Sequence, residues 1–167
     1  INETAAICEG DSFLFGNTYL HSSGIYRDTF LSIQNCDSIV ELNLSVLDPQ
    51  INIAPVRTLD CNNGSVFIDA SGSSGSALVF EWIDLVNGGA GILSGQNDAI
   101  LEVGLSGNYL LTITDTLGGI QCDTSVIIVV SENFNNPLIN ILGGTINCIN
   151  SPIQIQTDTL DFITFFS

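Results

Sequence analysis

Residues 107–114 of this 167-residue chain have the sequence GNYLLTIT, a pattern typical of a β-strand with one buried face. Large side chains stand at every second position, from Tyr109 through Leu111 to Ile113, with Leu110 and polar residues between them. A period of two places successive side chains on opposite faces of a β-strand. We therefore predict a strand that turns Tyr109, Leu111 and Ile113 into a core.

The start of this strand has the form of a tyrosine corner, in which a buried ring bonds its hydroxyl to nearby backbone. The motif Gly107-Asn108-Tyr109 is repeated near the N-terminus as Gly24-Ile25-Tyr26. A Cys-Asp-Ser/Thr triplet follows in both places, as Cys36-Asp37-Ser38 and as Cys122-Asp123-Thr124. The N-terminal region is therefore predicted to be a trimmed relative of the longer region around Tyr109.

The surrounding sequence contains further short strands, separated by turns rich in Gly, Ser and Asn. No stretch has sustained helical periodicity. Such a series of short strands with turn signals is typical of a β-sandwich. The inward residues expected beside the Tyr109 strand are Val66, Ile68, Ala70, Leu78, Phe80 and Trp82. The predicted strands are Ile51–Arg57, Ser65–Ala70, Leu78–Leu85, Ile92–Leu93, Ala99–Val103, Tyr109–Thr114 and Thr124–Val130.

An internal repeat divides the chain. Pro49 followed by Ile-Asn-Ile and then a cysteine recurs about 87 residues later, starting at Pro137. A repeat of this length suits a whole small β-domain. We predict a short β unit over residues 1–47, a β-sandwich over 51–131, and the first, truncated part of a further repeat over 137–167. The predicted fold class is all-β, with tandem sandwich repeats.

The composition excludes several classes of partner. Lys and Arg total 2 against 18 acidic residues, which gives a formal net charge of −16. Nucleic acid and anionic membrane surfaces both need a basic patch, so neither is expected as a partner. Hydrophobic residues make up 45% of the chain, too many for a disordered one. No apolar run of about 18 residues exists, so we expect no membrane span.

Five cysteines suggest a framework of structural disulfides. We predict that Cys8 pairs with Cys36 and Cys61 with Cys122, while Cys148 has its partner beyond the end of this sequence. A Cys-x-x-Cys motif is missing and there is a single histidine, which argues against zinc. Disulfides imply an oxidising compartment, so the expected location is extracellular.

Several predicted outward positions are apolar, and contiguous exposed patches of this kind usually mark contacts. Two explanations remain open. Neighbouring units or a longer loop cover these side chains, or the chains associate laterally into a fibre or sheath. The residues concerned are Phe67, Val79, Ile83, Leu110, Ile127 and Val129.

Two groups of motifs resemble repeats of giant secreted proteins of Bacteroidetes. The segments Ile7–Ser12, Gly24–Thr29 and Cys36–Val40 resemble a short repeat of these proteins. Their PKD and immunoglobulin-like repeats are similar to Leu59–Val66, Asp69–Ser74, Glu81-Trp82 and Gly107–Asp115. The PKD signature Trp-Asp-Phe-Gly-Asp-Gly is replaced by WIDLVN at 82–87, so the immunoglobulin-like label fits better.

The resemblance implies a surface adhesin or gliding-motility filament protein, exported by type IX secretion and anchored through a separate C-terminal domain. The same bacterial group attaches O-glycans at Asp-Ser/Thr-aliphatic triplets. This implies modification candidates at Ser38, Thr116 and Thr159. The alternative role of these hydroxyls is to close a turn or start a strand.

No catalytic site is predicted, because His21 is the only histidine and no nucleophile elbow surrounds any serine. We expect no metal and no cofactor. Calcium at inter-domain carboxylates remains open as an alternative, with oxygen ligands from Asp48, Asp60, Asp69 and Asp115.

The predicted function is therefore structural and adhesive. The chain forms a repeat segment of a long extracellular bacterial surface protein, which associates with itself or with neighbouring repeats and whose ligand, a glycan or a protein, is unidentified. The alternative is a carbohydrate-binding accessory module of a secreted enzyme. That alternative requires an exposed aromatic row, for which the candidates are Phe13, Phe15, Tyr19 and Phe30.

Overall fold

A computed structural model describes residues 1–31, 37–61, 63–133, 155–156 and 162–163. Within these residues, all the regular secondary structure is β-strand. The chain divides into two compact units, Ile1–Glu132 and Asn133–Ser167. Most of the predicted repeat at 137–167 lies outside the described residues. The described part contains no helix long and apolar enough to cross a membrane.

The strands follow one another through the first unit with short connections. They are β1 (Asn2–Cys8), β2 (Phe13–Phe15), β3 (Thr18–Leu20), β4 (Gly24–Leu31), β5 (Asp37–Leu47), β6 (Leu59–Asp60), β7 (Val66–Asp69), β8 (Leu78–Asp84), β9 (Ile92–Ser94), β10 (Ile100–Val103), β11 (Gly107–Leu117), β12 (Ile120–Val130) and β13 (Glu132–Asn133). In the second unit the described strands are β14 (Ile155–Gln156) and β15 (Phe162–Ile163), which pair antiparallel.

The N-terminal sheet has the order β1-β5-β4. Strand β1 runs parallel to β5, from Asn2 opposite Glu41 to Cys8 opposite Leu47, whereas β4 is antiparallel to β5. The hairpin β2–β3 supplies further apolar side chains. Alternation along β5 points every second side chain into one cluster of buried residues. This cluster, here called the N-terminal core, comprises Ile7, Phe15, Leu20, Val40, Leu42 and Leu44.

Two further sheets, β7-β10-β9 and β12-β11-β8, contribute side chains to a second cluster. Two three-stranded sheets that share one core are consistent with a β-sandwich. Both are antiparallel, with Leu101 opposite Ile68 in the first sheet and Leu111 opposite Trp82 in the second. This central core comprises Leu59, Val66, Ile68, Ala70, Trp82, Leu101, Val103, Tyr109, Leu111, Ile113, Ile128 and Val130.

The predicted inward faces are confirmed. Tyr109, Leu111 and Ile113 are fully buried, as is Trp82, while Leu78 and Phe80 are half-buried and pack against the central core. Full burial of one large apolar side chain stabilises a fold by about 1.5–3 kcal/mol. Several such residues at a period of two therefore fix the register of each strand, because a slip by one residue would expose all of them.

The hairpin between β11 and β12 is closed by two glycines. Gly118 and Gly119 have φ angles of 62° and 86°, and Leu117 pairs with Ile120 on either side. A two-residue hairpin loop with positive φ at both positions matches the twist of the strands, and glycine adopts it without steric cost. This turn places the start of β12, and with it Cys122, at the end of the long hairpin.

Candidate functional site

A disulfide between Cys8 and Cys122 links the two cores of the first unit. Cys8 is the last residue of β1 and Cys122 lies near the start of β12, with Cα atoms 5.5 Å apart and a sequence separation of 114. Cys122 is buried, and the Cys8 sulfur lies 3.5 Å from the Gln121 carbonyl oxygen. In the chain-entropy model, a closed loop of about 100 residues gives about 4.7 kcal/mol of stabilisation.

The predicted pairing of the cysteines is wrong. Cys8 is bonded to Cys122 rather than to Cys36, and Cys61 is exposed with a free thiol. Cys36 and Cys148 lie outside the described residues. The prediction assumed that each repeat closes on itself, but cysteine spacing does not encode connectivity. The packing of β1 beside β5 directs Cys8 towards the β11–β12 hairpin, and no local pattern in the sequence signals this.

The same junction encloses a cleft of about 340 Å³. Its walls come from β1 at Thr4 and Ala6, from β5 at Asn43 and Ser45, and from the hairpin turn at Leu117-Gly118. None of its lining residues has a charged side chain. The cleft therefore offers hydroxyl and amide groups but no titratable group for acid–base chemistry.

Both predicted tyrosine corners are confirmed in their hydrogen bonds. The Tyr109 hydroxyl donates to the Leu105 carbonyl oxygen at 2.7 Å, and the Tyr26 hydroxyl donates to the Ser22 carbonyl oxygen at 2.8 Å. Burial raises the pKa of Tyr109, and the nearby Asp84 carboxylate raises it further. The Tyr109 hydroxyl is therefore a hydrogen-bond donor at neutral pH.

Asp84 is a buried carboxylate that the sequence did not single out as structural. It accepts backbone N–H groups from Val86 at 3.0 Å, Asn87 at 2.9 Å and Gly91 at 2.9 Å. Burial acts to raise the pKa of Asp84, but these amides together with the Asn87 side chain outweigh it, so the pKa is lowered. Glu81, on the same strand, is exposed on the other face of β8, so the two carboxylates do not face each other.

The four carboxylates considered for calcium are held separately, three in local turns and Asp115 by amides 39 and 38 residues earlier in the chain. Asp48 accepts from the Gln50 side chain at 2.6 Å, Asp60 from the Asn63 amide at 2.8 Å, Asp69 from the Ser71 amide at 2.8 Å, and Asp115 from the Ser76 and Ala77 amides at 2.8 and 2.7 Å. The Ser71 hydrogen bonds lower the pKa of Asp69. Within the described ranges, no group of three or more His, Cys, Asp or Glu residues could hold a metal ion.

Two of the three glycosylation candidates lie on strands. Ser38 is half-buried on β5 opposite Phe30, and Thr116 is half-buried on β11 opposite Gln121. Thr159 lies outside the described residues. Modification at these hydroxyls stays a prediction.

Three of the four candidate aromatic residues line one cavity of about 340 Å³. Phe13, Phe15 and Phe30 form its walls together with Glu3, whereas Tyr19 is 63% exposed and does not line it. Phe15 is buried, and its ring meets the Phe30 ring edge-on, with centroids 5.9 Å apart and an interplanar angle of 67°. These rings therefore form a concave site and not the flat row that the sequence suggested.

The outer face of the sheet β12-β11-β8 carries a row of the predicted outward apolar residues, beside a polar row of Glu81, Thr112 and Ser125. Ile83, Leu110 and Ile127 lie side by side across the three strands, and Val129 continues the row along β12. Leu110 is half-buried, but Ile83, Ile127 and Val129 are 42%, 55% and 68% exposed. This set of four residues is here called the outer apolar face.

No protein-family model matches this sequence, and no curated protein sequence matches it either. The class of this protein is therefore given by its structure alone. The described residues form an all-β protein whose two cores are covalently connected by one disulfide.

Proposed function

We propose that this chain is a structural and adhesive segment of a long extracellular surface protein, built from immunoglobulin-like repeats. The observation that carries the proposal is the Cys8–Cys122 disulfide, which joins two separate apolar cores into one covalently closed unit. Disulfides persist in oxidising compartments, which supports a location outside the cytoplasm.

The arrangement of the central core supports the immunoglobulin-like part of the proposal. An immunoglobulin sandwich has a buried Trp on its third strand and a tyrosine corner at the start of its sixth, within one sheet. Trp82 on β8 and Tyr109 on β11 are fully buried and lie on neighbouring strands of one sheet. The Trp82 indole N–H donates to the Asp98 carbonyl oxygen at 2.9 Å, so its polar atom is satisfied inside the sandwich.

The outer apolar face supports association with a neighbouring repeat or with another copy of the chain. Exposed contiguous apolar surface on a folded protein usually marks a contact. The resemblance to repeats of Bacteroidetes adhesins and gliding-motility filaments adds the proposed setting, with export by type IX secretion and O-glycans at Ser38 and Thr116. The ligand is a surface glycan or a protein.

The location is tested on intact cells that produce the protein. Antibodies against residues 51–131 are expected to label the cells without permeabilisation, and added protease is expected to remove the label. A cytoplasmic marker protein serves as the control for cell integrity. Labelling that requires permeabilisation would contradict the proposal.

A second candidate is a carbohydrate-binding accessory module, favoured by the cavity lined by Phe13, Phe15 and Phe30. Stacking of sugar rings on aromatic faces is the interaction that such a site would supply. Binding to a panel of polysaccharides tests this candidate with the variants Phe13→Ala and Phe30→Ala, and with Tyr19→Ala as a matched control outside the cavity. Saturable binding that both cavity variants remove and Tyr19→Ala preserves would favour the module.

A further inference from the structure

We propose that the Cys8–Cys122 disulfide is a bypass for mechanical tension, which carries a pulling force past the folded body of the first unit. The two cysteines are separated by 114 positions, and both lie close to the ends of this unit, Ile1–Glu132. A force applied to the two ends therefore runs along β1, through the sulfur–sulfur bond, and along β12. The chain between the cysteines is a closed loop that this force does not stretch.

The contents of the loop decide what the bypass protects. Strands β2 to β11 lie between the cysteines, together with most side chains of both cores. Trp82 and Tyr109 are among them. Only the outer strands β1 and β12 and the short ends of the unit carry the load directly.

The disulfide limits how much of the two outer strands a pull can release. Strand β1 is paired with β5 from Asn2 to Cys8, so a pull at Ile1 releases chain only as far as Cys8. Strand β12 is paired with β11 from Val130 opposite Gly107 back to Cys122 opposite Asp115. Pulling from the C-terminal side therefore releases chain only as far back as Cys122, where the disulfide holds it.

The disulfide prevents the extension of a long stretch of chain. A separation of 114 residues corresponds to about 380–410 Å of extended chain at 3.3–3.6 Å per residue. The ends outside the loop, residues 1–8 and 122–132, yield roughly 60–70 Å by the same measure. The first unit can therefore open at both edges and remain short.

This bypass is a property of the folded chain, and only its biological use rests on the proposed structural function. Single-molecule stretching of the full 167-residue chain tests it, with handles ligated enzymatically to both termini so that no thiol is used. The oxidised wild-type chain is compared with the variant Cys8→Ser/Cys122→Ser. Residues 133–167 are present in both chains, so their extension cancels in the difference.

At full extension the double variant is expected to be longer than the wild type by about 380–410 Å. The single variants Cys8→Ser and Cys122→Ser are each expected to give the same increase, because one bond joins the two residues. Contour length at full extension does not depend on whether a variant folds, so an unstable variant still gives a valid measurement.

Two results would overturn the bypass. Equal lengths for wild type and double variant would show that no bond closes the loop. Pairing of Cys8 with Cys36 and of Cys61 with Cys122 would give the two single variants unequal increases, about 90–100 Å and 200–220 Å. Surface labelling that fails while the 380–410 Å difference persists would reject the proposed function and leave the bypass intact.

Discussion

The hydroxyl of Tyr109 donates a hydrogen bond of 2.7 Å to the carbonyl oxygen of Leu105, four residues earlier in the chain. Tyr26 makes the same contact with Ser22, also four residues earlier, at 2.8 Å. Two regions with separate cores thus use one device to fix the entry of a strand.

Replacing Tyr109 by phenylalanine removes this hydrogen bond and leaves the ring in place. We expect Tyr109→Phe to lower the free energy of unfolding by about 0.5–1.5 kcal/mol, the usual net value of one such bond. Equilibrium unfolding in urea measures the change. Tyr19→Phe is the matched control, because Tyr19 is 63% exposed, and it is expected to change stability by less than about 0.5 kcal/mol.

Two leucines on one face of β11, at its middle and at its end, make a sharper test of the central core. Leu111 is fully buried, whereas Leu117 at the end of the same strand is 39% exposed. We expect Leu111→Ala to destabilise the protein by about 2–5 kcal/mol, since it removes buried surface and leaves a cavity. Leu117→Ala is the same chemical change and is expected to lower the free energy of unfolding by much less. Similar losses for both variants would contradict the assigned burial.

The buried Asp84 carboxylate predicts a loss of stability in acid. Its pKa in the folded state lies below the ordinary value of an aspartate, although burial opposes this, because three backbone amides bond to the ionised form. An acid whose pKa is lowered by folding contributes stability above its unfolded pKa, and this contribution is lost as the pH falls through the folded pKa.

Urea unfolding between pH 7 and pH 2 measures this contribution in wild type and Asp84→Asn. We expect the variant to be less stable at pH 7 by about 1–3 kcal/mol, since three amide donors lose a charged acceptor. The difference in the free energy of unfolding between wild type and variant is expected to narrow as the pH falls below about 4. A gap that stays constant down to pH 2 would show that the ionised carboxylate is not what stabilises this turn.

The alternation of apolar residues was sufficient to predict much of this architecture. A period of two distinguished the buried Trp82 from its neighbour Ile83, which is 42% exposed, and the motif Gly-Asn-Tyr predicted the hydroxyl-to-backbone bond of Tyr109. These are local properties of a strand and its entry, so residues close in sequence carry the information.

The long-range features could not be predicted in the same way. The partner of Cys8 depends on which strands lie side by side, and β1 is paired with a strand about 40 residues further along the chain. The role of Asp84 depends on the approach of Gly91, where a Cβ atom would collide with the Tyr109 hydroxyl and the Asp84 carboxylate. Neither relationship leaves a periodic pattern in the sequence.

The outer apolar face predicts association between copies of the chain or with neighbouring repeats. We expect the wild-type chain to sediment faster as its concentration rises, and Ile83→Glu/Ile127→Glu to sediment as a monomer, since two buried charges would destabilise the contact. Leu93→Glu is the control, because Leu93 is 55% exposed on β9 of the other sheet. Monomeric wild type at all concentrations would contradict self-association through this face.

Tryptic peptide mapping without reduction, after free thiols are blocked, shows directly which cysteines are bonded. The chain has no lysine and its two arginines are Arg27 and Arg57, so trypsin produces residues 1–27, 28–57 and 58–167. The Cys8–Cys122 bond predicts that residues 1–27 remain bonded to 58–167 until a reductant is added, and that a second cut before aspartates places the link at Cys122. Recovery of 1–27 bonded to 28–57, or free of any partner, would contradict it.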